Sequence, residues 1–395
     1  MTLLIVSPAY APYVGVGANR MMSFSKYLIS KGYKVIVLRN SPETWPSDSL
    51  KSVPPEGVIT RDVFIKGHFD ECVACYYDAI KEAYSEYSID CAVYSCNPYY
   101  TIVAAEKLKK EFAYPFIIDF RDLWVNDEAF TRSILKRIRK SISRQRFRIK
   151  ERRCIAAADH IVTVTPREND ALKKQYPRFA DKMSVIYNGY DNERLECQLE
   201  DKENEKVNGI INRLDGGRSI GVFGKFGYYD YEYLVELLNA VKGLNKQGIK
   251  IKIIHIGDLD GRSKSAMEDV NFPSELYIGT GFLDYKTGME ILKNVSMNSL
   301  IVHYKRGLGT KLFDYIYVDK PVIYFAPPDS AIADIMKTCA HSYRCDRAEE
   351  AIKAIRNTIE NGYETLDCSE RDKYSRTIQN KHYEALIKGI GGKSK

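Results

Sequence analysis

The sequence predicts an α/β protein built as two doubly wound parallel-sheet domains. Three observations lead there. Short apolar runs of strand length alternate with longer amphipathic stretches along most of the chain, the pattern that strand–helix–strand units leave. Glycine-bearing loops follow strand-like runs at residues 7–17, 224–227 and 257–258, where such folds place their ligands. At 395 residues the chain exceeds one ordinary core and suits two domains of about 150–200 residues each.

Taken in order, residues 2–6 read as a buried first strand, and residues 7–17 as a loop with two prolines and two glycines. Residues 18–30 form a helix, Gly32 stops it, and 34–38 are the second strand. Gly15-Val-Gly17 begins a dinucleotide fingerprint. The third glycine is missing and no acid closes the strand at Leu38, so NAD binding is rejected. Residues 91–94 are a strand, followed by the loop Ser95-Cys96-Asn97-Pro98, a helix over 99–111 and a strand over 115–119 that runs into Asp119-Phe-Arg121-Asp122-Leu-Trp124. A long basic helix spans 133–157, and strands follow at 160–164 and 183–187, before Asn188-Gly189. The carboxyl ends of these strands carry Gly15 and Gly17, Asn97, Asp119, Arg121 and Asp122, and Asn188.

Residues 193–215 are polar and read as a linker with a surface helix. A second α/β unit starts at Ser219, with a strand at 220–223, the loop Gly224-Lys225-Phe-Gly227, a helix over 231–244 and a strand over 251–256 that ends in Gly257-Asp258. A short strand and loop at 277–283 include Phe282, another strand covers 300–303, and the chain from Glu349 onward is helical. The expected limits are 1–195 for an N-terminal domain, 196–217 for the linker and surface helix, and 218–372 for a C-terminal domain. Residues 373–395 are a C-terminal helix able to cross back to the first domain.

Composition narrows the function classes. No run of about 18 apolar residues is present, so no membrane-spanning helix is expected. The N-terminus reads as a strand and not as a signal peptide. Nine scattered cysteines suit reduced thiols in a cytoplasm. Cys72-Val-Ala-Cys75 has no second pair at metal-ligand spacing, so no zinc site is expected. The formal charge of +7 is concentrated: residues 132–153 hold eleven Lys/Arg against Glu151, and the remainder of the chain is net acidic. Leu135, Ile138, Ile142 and Ile149 form an apolar stripe in that segment, so it predicts an amphipathic helix for an anionic membrane surface. A single aromatic residue, Phe147, falls within the charge, too few for the interleaved stacking that binds single-stranded nucleic acid, so no nucleic acid is expected.

The most informative stretch begins at Gly307. Gly307 and Gly309 make a loop, Thr310 stands at a helix N-cap position, and Leu312, Phe313, Ile316 and Tyr317 recur at helical spacing. Lys320-Pro321 ends the helix, and residues 322–325 read as a buried strand. A glycine loop feeding a helix N-terminus is suited to anions, because free N–H groups and the positive dipole end point there. Lys311 adds a full charge, and Asp314 lies one turn along, where a carboxylate suits a hydroxyl-bearing ligand.

This stretch, G-L-G-T-K-L-F-D-Y-I-Y-V-D-K-P-V-I, resembles the donor-site segment of family 4 retaining glycosyltransferases, G-x-P-S-K-L-F-E-Y-x-A-x-G-K-P-V-I. The resemblance extends over nearly the whole chain. Ser7-Pro8 with Gly15, Gly17 and Arg20 is similar to the family's P-P…G-G-x-x-R loop. Asn97-Pro98 followed by the run Phe-Ile-Ile-Asp-Phe-Arg-Asp-Leu-Trp is similar to P-P…D-F-R-D-P-W. The stretches 156–165 and 185–191 resemble A-D-x-I-I-T-V-S and V-I-x-N-G-V-D, and His255-Ile-Gly-Asp resembles the G-x-G strand end beneath the nucleotide base. Three positions depart from the pattern. Arg306 stands where the first Glu of E-x7-E belongs, Asp230 replaces the second member of the basic pair begun by Lys225, and Arg121 stands where a His is usual.

The resemblance implies a GT-B fold, two Rossmann-like domains facing a central cleft, and transfer of a sugar with retention from a nucleotide sugar to a hydroxyl of a saccharide or lipid-linked acceptor. The setting implied is bacterial surface-polysaccharide biosynthesis, with a cytoplasmic enzyme held peripherally at the inner face of the membrane. It implies donor contacts at Gly15, Gly17, Gly224, Lys225, Gly257, Phe282, Arg306, Gly309, Thr310, Lys311, Leu312 and Asp314. Asn97, Arg121 and Asn188 would contact the acceptor, and Asp119, Arg121, Asp122, Lys225 and Lys311 would serve the chemistry. No cofactor or metal is implied. Asp258-Leu-Asp260 spells the metal motif of the other glycosyltransferase fold, but it follows a strand ending in Gly257, which fits a nucleotide loop. Two other readings stay open: a GT-B-fold UDP-sugar 2-epimerase, and an inactive membrane-docked scaffold.

Overall fold

A computed structural model describes residues 1–125, 134–195, 198–339, 341–366 and 368–391. The chain divides into two compact units, residues 1–188 with 376–395, and residues 189–375. Each is a parallel sheet with helices around it.

The first unit contains seven strands, β1 (Thr2–Val6), β2 (Lys34–Asn40), β3 (Ile59–Val63), β4 (Cys91–Cys96), β5 (Phe116–Phe120), β6 (His160–Thr163) and β7 (Met183–Val185). Their order is β3-β2-β1-β4-β5-β6-β7, and the pairs are parallel. β1 and β4 are apolar on both faces and almost fully buried, as expected of central parallel strands covered by helices on each side. One face packs on the helices Phe69–Glu86 and Tyr100–Glu111. The other packs Leu3, Ile5 and Val93 against Met21, Phe24, Tyr383 and Ile387, which belong to the helices Val16–Ser30 and Arg376–Gly391. The last helix of the chain is therefore part of the first unit.

The second unit contains β8 (Arg218–Phe223), β9 (Ile251–Ile256), β10 (Tyr277–Gly279), β11 (Met297–Ile301), β12 (Val322–Phe325) and β13 (Ser342–Arg344). The order is β10-β9-β8-β11-β12-β13. Leu234, Leu237, Leu238 and Val241 of the helix Tyr231–Lys246 pack with Ile355 of the helix Ala348–Asn361 over the strands Ile253 and Ile323.

Both sheets reverse direction of winding once. The reversal lies between β1 and β4 in the first unit and between β8 and β11 in the second. In open α/β sheets the crevice at this switch point, outside the carboxyl ends of the strands, receives ligands. The loops there are residues 7–17 and 97–99 in one unit, and 224–230 and 302–310 in the other.

Candidate functional site

In the second unit the switch point is shaped by backbone. Gly224 has φ +90° and Gly257 φ +148°, conformations that L side chains rarely adopt. A Cβ on Gly257 would meet the Gly224 carbonyl oxygen at 2.8 Å. The two loops are drawn together by the Gly224 N–H, which donates to Ile256 O at 2.7 Å, and by His255 beneath them. His255 Nε2 lies 2.7 Å from Gly224 O and Nδ1 2.8 Å from the Tyr277 hydroxyl. A carbonyl only accepts, so Nε2 carries the proton and Nδ1 accepts from Tyr277. Burial lowers the pKa of this imidazole, more than the Gly224 hydrogen bond raises it.

Lys311 enters this loop from the helix Lys311–Val318. Its ammonium stands 3.5 Å over the centroid of Phe223, the last residue of β8, and 5.4 Å from that of Tyr285. Asp314 Oδ2 is 3.4 Å from Nζ. The Tyr285 hydroxyl donates to Asp314 Oδ1. Tyr285 opens the helix Tyr285–Asn294, whose N-cap Asp284 accepts from Thr287 N at 2.9 Å. Phe223 N donates to the Tyr315 hydroxyl at 3.0 Å, which ties the ring under Lys311 to the same helix. Lys225 is exposed and lies 4.9 Å over Tyr228. Tyr229 packs edge-on to Tyr304 and beside His303, so aromatic residues join the two loops. Phe282 is 81% exposed, an apolar ring open to whatever binds beside it. Arg306 is half-buried in the 302–310 loop, and Gly309 approaches the Tyr304 hydroxyl so closely that a Cβ would stand 3.0 Å from it.

Two expectations for this loop are corrected. Thr310 has helical dihedrals and its side chain makes no cap bond, so the loop enters the helix without a side-chain cap. Leu312 is fully buried and its N–H donates to Gly309 O at 3.3 Å, so it is a packing residue. Asp314 is buried, with Oδ1 accepting from the Tyr285 hydroxyl and Oδ2 facing Lys311. Of the Asp258-Leu-Asp260 motif, Asp260 caps the helix Gly261–Asp269, accepting from Ser263 N at 3.1 Å and from its hydroxyl at 2.8 Å.

In the first unit the switch point holds Arg121 and Gly17. Arg121 Nε donates to Cys96 O at 3.1 Å and Nη2 to Asn97 O at 2.9 Å. Nη1 lies so close to Gly17 that a Cβ there would stand 2.0 Å from it, so a side chain at this position would displace the guanidinium. The guanidinium thus sits at the start of the helix Val16–Ser30, with Gly15 as N-cap and no acid in the first turn. Asn97 is exposed at φ +76°, and Asp122 is exposed with its carbonyl accepting from the Tyr99 hydroxyl at 3.1 Å.

Asp119 does not join them, which corrects the expectation that it serves the chemistry. It is fully buried, accepts from Arg20 Nε at 3.1 Å and Nη2 at 3.0 Å, and accepts from the Tyr383 hydroxyl. Arg20 continues to Ile186 O at 2.9 Å, Tyr187 O at 2.6 Å and Asn188 Oδ1 at 3.4 Å. This pair binds β5, the end of β7 and the final helix together. Asn188 is drawn into the same network.

The basic helix runs from Ile134 to Ala157. Ser133 and the side chains of Leu135, Ile138, Ile142 and Arg144 lie outside the described residues. In the described part, Phe147 packs on Phe69 and Trp124. Ile149 is 65% exposed among exposed Arg146, Arg148, Arg152 and Arg153. Glu151, the lone acid, is buried and accepts from Tyr176 and Gln175 at 2.6 and 3.1 Å and from Val125 N at 3.3 Å. Among the described residues no helix is long and apolar enough to cross a membrane.

Residues 17–194 match the family model described as Glycosyltransferase Family 4. A search of curated proteins gave no match. Among solved structures, sucrose-phosphate synthase from Thermosynechococcus elongatus is similar at TM-score 0.72 and 12% identity, over 99% of both chains. Anabaena HepE in complex with UDP is similar at TM-score 0.68 and 12% identity, over 99% of this chain and 100% of that one. UDP-GlcNAc 2-epimerase from Methanocaldococcus jannaschii is similar at TM-score 0.60 and 12% identity, over 98% and 99%. The fold is the GT-B fold of two Rossmann-like domains, and the epimerase is similar to this chain at the lower TM-score.

Proposed function

We propose that this glycosyltransferase of family 4 type and GT-B fold moves a sugar from a nucleotide-sugar donor to a hydroxyl of a saccharide acceptor, with retention at the anomeric carbon. One observation carries the donor half of the reading: the Lys311 ammonium, held over Phe223 beside Gly224 at the β8/β11 switch point. Transfer breaks an anomeric C–O bond through an oxocarbenium-like transition state, and negative charge grows on the departing diphosphate. Fixed cations and amide dipoles aimed at that charge lower the barrier. Lys311, Lys225 and Arg306 are of that type. Phe282 is proposed for the base or sugar face. HepE was crystallised in complex with UDP and with UDP-glucose, which makes uridine nucleotides the first donors to try.

On the acceptor side we assign Arg121, Asn97 and Asp122. Ile149 set among arginines supports docking on an anionic membrane, and with it a lipid-linked acceptor and a role in surface-polysaccharide synthesis. Neither cofactor nor metal enters the proposed reaction.

The test is a thermal-shift screen of UDP-, GDP- and CMP-sugars, followed by product analysis. A donor at 100 times its Kd stabilises by about 2.7 kcal/mol. The proposal expects a rise in Tm with one nucleotide class and release of free nucleoside diphosphate with a glycosylated product. Conversion of a UDP-sugar into its 2-epimer without an acceptor would support the epimerase. No response to any nucleotide would leave the scaffold.

A further inference from the structure

The chain has two tryptophans, Trp45 and Trp124. Both lie in the first unit, on loops that follow β2 and β5, and each stacks on a tyrosine. Trp124 is enclosed: Tyr99 stacks on it at 5.0 Å and 6°, and Phe69 and Phe147 stand at 5.9 and 5.3 Å. Trp45 is not. Among the described residues its one ring neighbour is Tyr13, at 4.0 Å and 25°. Both rings are half-buried, and neither belongs to the apolar clusters on the two faces of the sheet. The stack is held in place by its own loops. Val14 N donates to Ser49 O at 2.7 Å, Ser52 N to Pro12 O at 3.0 Å, and the Ser52 hydroxyl to Tyr13 O at 3.1 Å. Arg39 donates to Ala11 O. Among the described residues the indole N–H and the Tyr13 hydroxyl have no hydrogen-bond partner.

A fixed pair of rings outside the core, with two unused polar handles, has the makings of a ligand platform. Its chemistry selects the ligand. Aromatic faces are electron-rich, and a pyranose presents a face of electron-poor C–H bonds with hydroxyls around its rim. The indole N–H donates, and the phenol donates or accepts. Residues 41–50 contain two acids and no Lys or Arg, a setting that disfavours phosphate and suits a neutral ligand. The stack also adjoins the acceptor side. A Cβ on Gly15 would run into the Tyr13 ring, and Gly17, two residues on, lies against Arg121.

Resting on the acceptor reading above, we infer that Trp45 and Tyr13 form a saccharide subsite: a neutral pyranose of the acceptor lies with its C–H face on the indole, its hydroxyls bonded to the indole N–H and the Tyr13 hydroxyl. This sugar neighbours the one that carries the accepting hydroxyl. The subsite therefore selects acceptor chains and takes no part in donor binding.

Fluorine NMR of the full chain carrying 5-fluorotryptophan tests this. Two resonances are expected, and Trp45→Phe assigns them by removing one. Methyl β-glycosides of glucose, galactose, mannose and N-acetylglucosamine are titrated to about 100 mM, enough to saturate a site of millimolar Kd. At least one should move the Trp45 resonance saturably and leave Trp124 in place, and Tyr13→Phe should weaken that glycoside at least about threefold. Glycerol, which has hydroxyls and no ring face, should move neither. A Trp45 resonance that ignores all four glycosides, or that glycerol or UDP moves as much, overturns the inference. UDP is also titrated calorimetrically into wild type and Trp45→Ala. Equal affinity is expected, and loss of UDP binding in the variant, with its melting temperature unchanged, places the stack on the donor and overturns the subsite. If UDP does not bind wild type at all, the uridine donor reading fails, and the glycoside titration alone decides the subsite.

Discussion

The two units contain the same three chemical parts in different settings. In the first, Asp119 is joined to Arg20 and to the Tyr383 hydroxyl. In the second, Asp314 is joined to Lys311 and to the Tyr285 hydroxyl. Each has a carboxylate, a cation and a phenol. Arg20, however, is 5% exposed and spends its remaining donors on the backbone carbonyls of Ile186 and Tyr187. Lys311 rests on an aromatic face and stays partly open. A planar guanidinium with five donors suits a knot of carbonyls and carboxylate, whereas a single ammonium on a flexible stem suits a site where a ligand completes the coordination. The first trio holds strands together, and the second leaves its cation within reach of an anion.

The sharpest way to break this comparison is to remove the acid of the first trio. Asp119→Asn leaves Arg20 buried without its counter-charge, and losing one partner of a buried pair costs roughly 3–5 kcal/mol. Urea unfolding should show a loss of that order, and a midpoint equal to wild type would reduce the knot to an incidental contact. Next in size is the basic helix. Each well-placed cation contributes about 1 kcal/mol near an anionic surface. Arg146→Glu with Arg148→Glu should lower sedimentation with anionic liposomes by tenfold or more at low salt, and binding indifferent to lipid charge removes the membrane docking.

The smallest effect sharpens the account of the loop floor. Burial lowers the folded-state pKa of His255, so the unfolded chain takes up the proton first. The stability this group contributes is complete above its unfolded pKa of about 6.5 and is lost as pH falls from there through the lower folded value. Wild type should therefore lose more stability between pH 7.5 and 5.5 than His255→Gln does. Identical slopes would show that His255 does not titrate with unfolding.

Much of the architecture was legible in the sequence, because central parallel strands are continuous apolar runs. β1, β4, β9 and β12 have few polar side chains and were visible for that reason. β3, Ile-Thr-Arg-Asp-Val, and β13, Ser-Tyr-Arg, escaped because edge strands are short and polar. Strand order was not readable, and with it the fact that β8 and β11 are neighbours. Lys311 and Gly224 were found from local spelling alone. Tyr285 was not, since it lies 29 residues from Asp314 and only the packing of two helices brings them together. Asp119 misled for a related reason: a polar residue at the end of a buried strand reads as a ligand contact until its partner, 99 residues away in Arg20, is known.

The central claim is that the Lys311 loop is where the donor diphosphate binds. Calorimetric titration of UDP and GDP into wild type, Lys311→Ala and Lys225→Ala tests it most directly. The account predicts that one nucleotide binds wild type, that Lys311→Ala weakens it at least about tenfold, or about 1.4 kcal/mol, and that the melting temperature without nucleotide stays near wild type. Nucleotide binding that is equally tight in wild type and in both variants would contradict it.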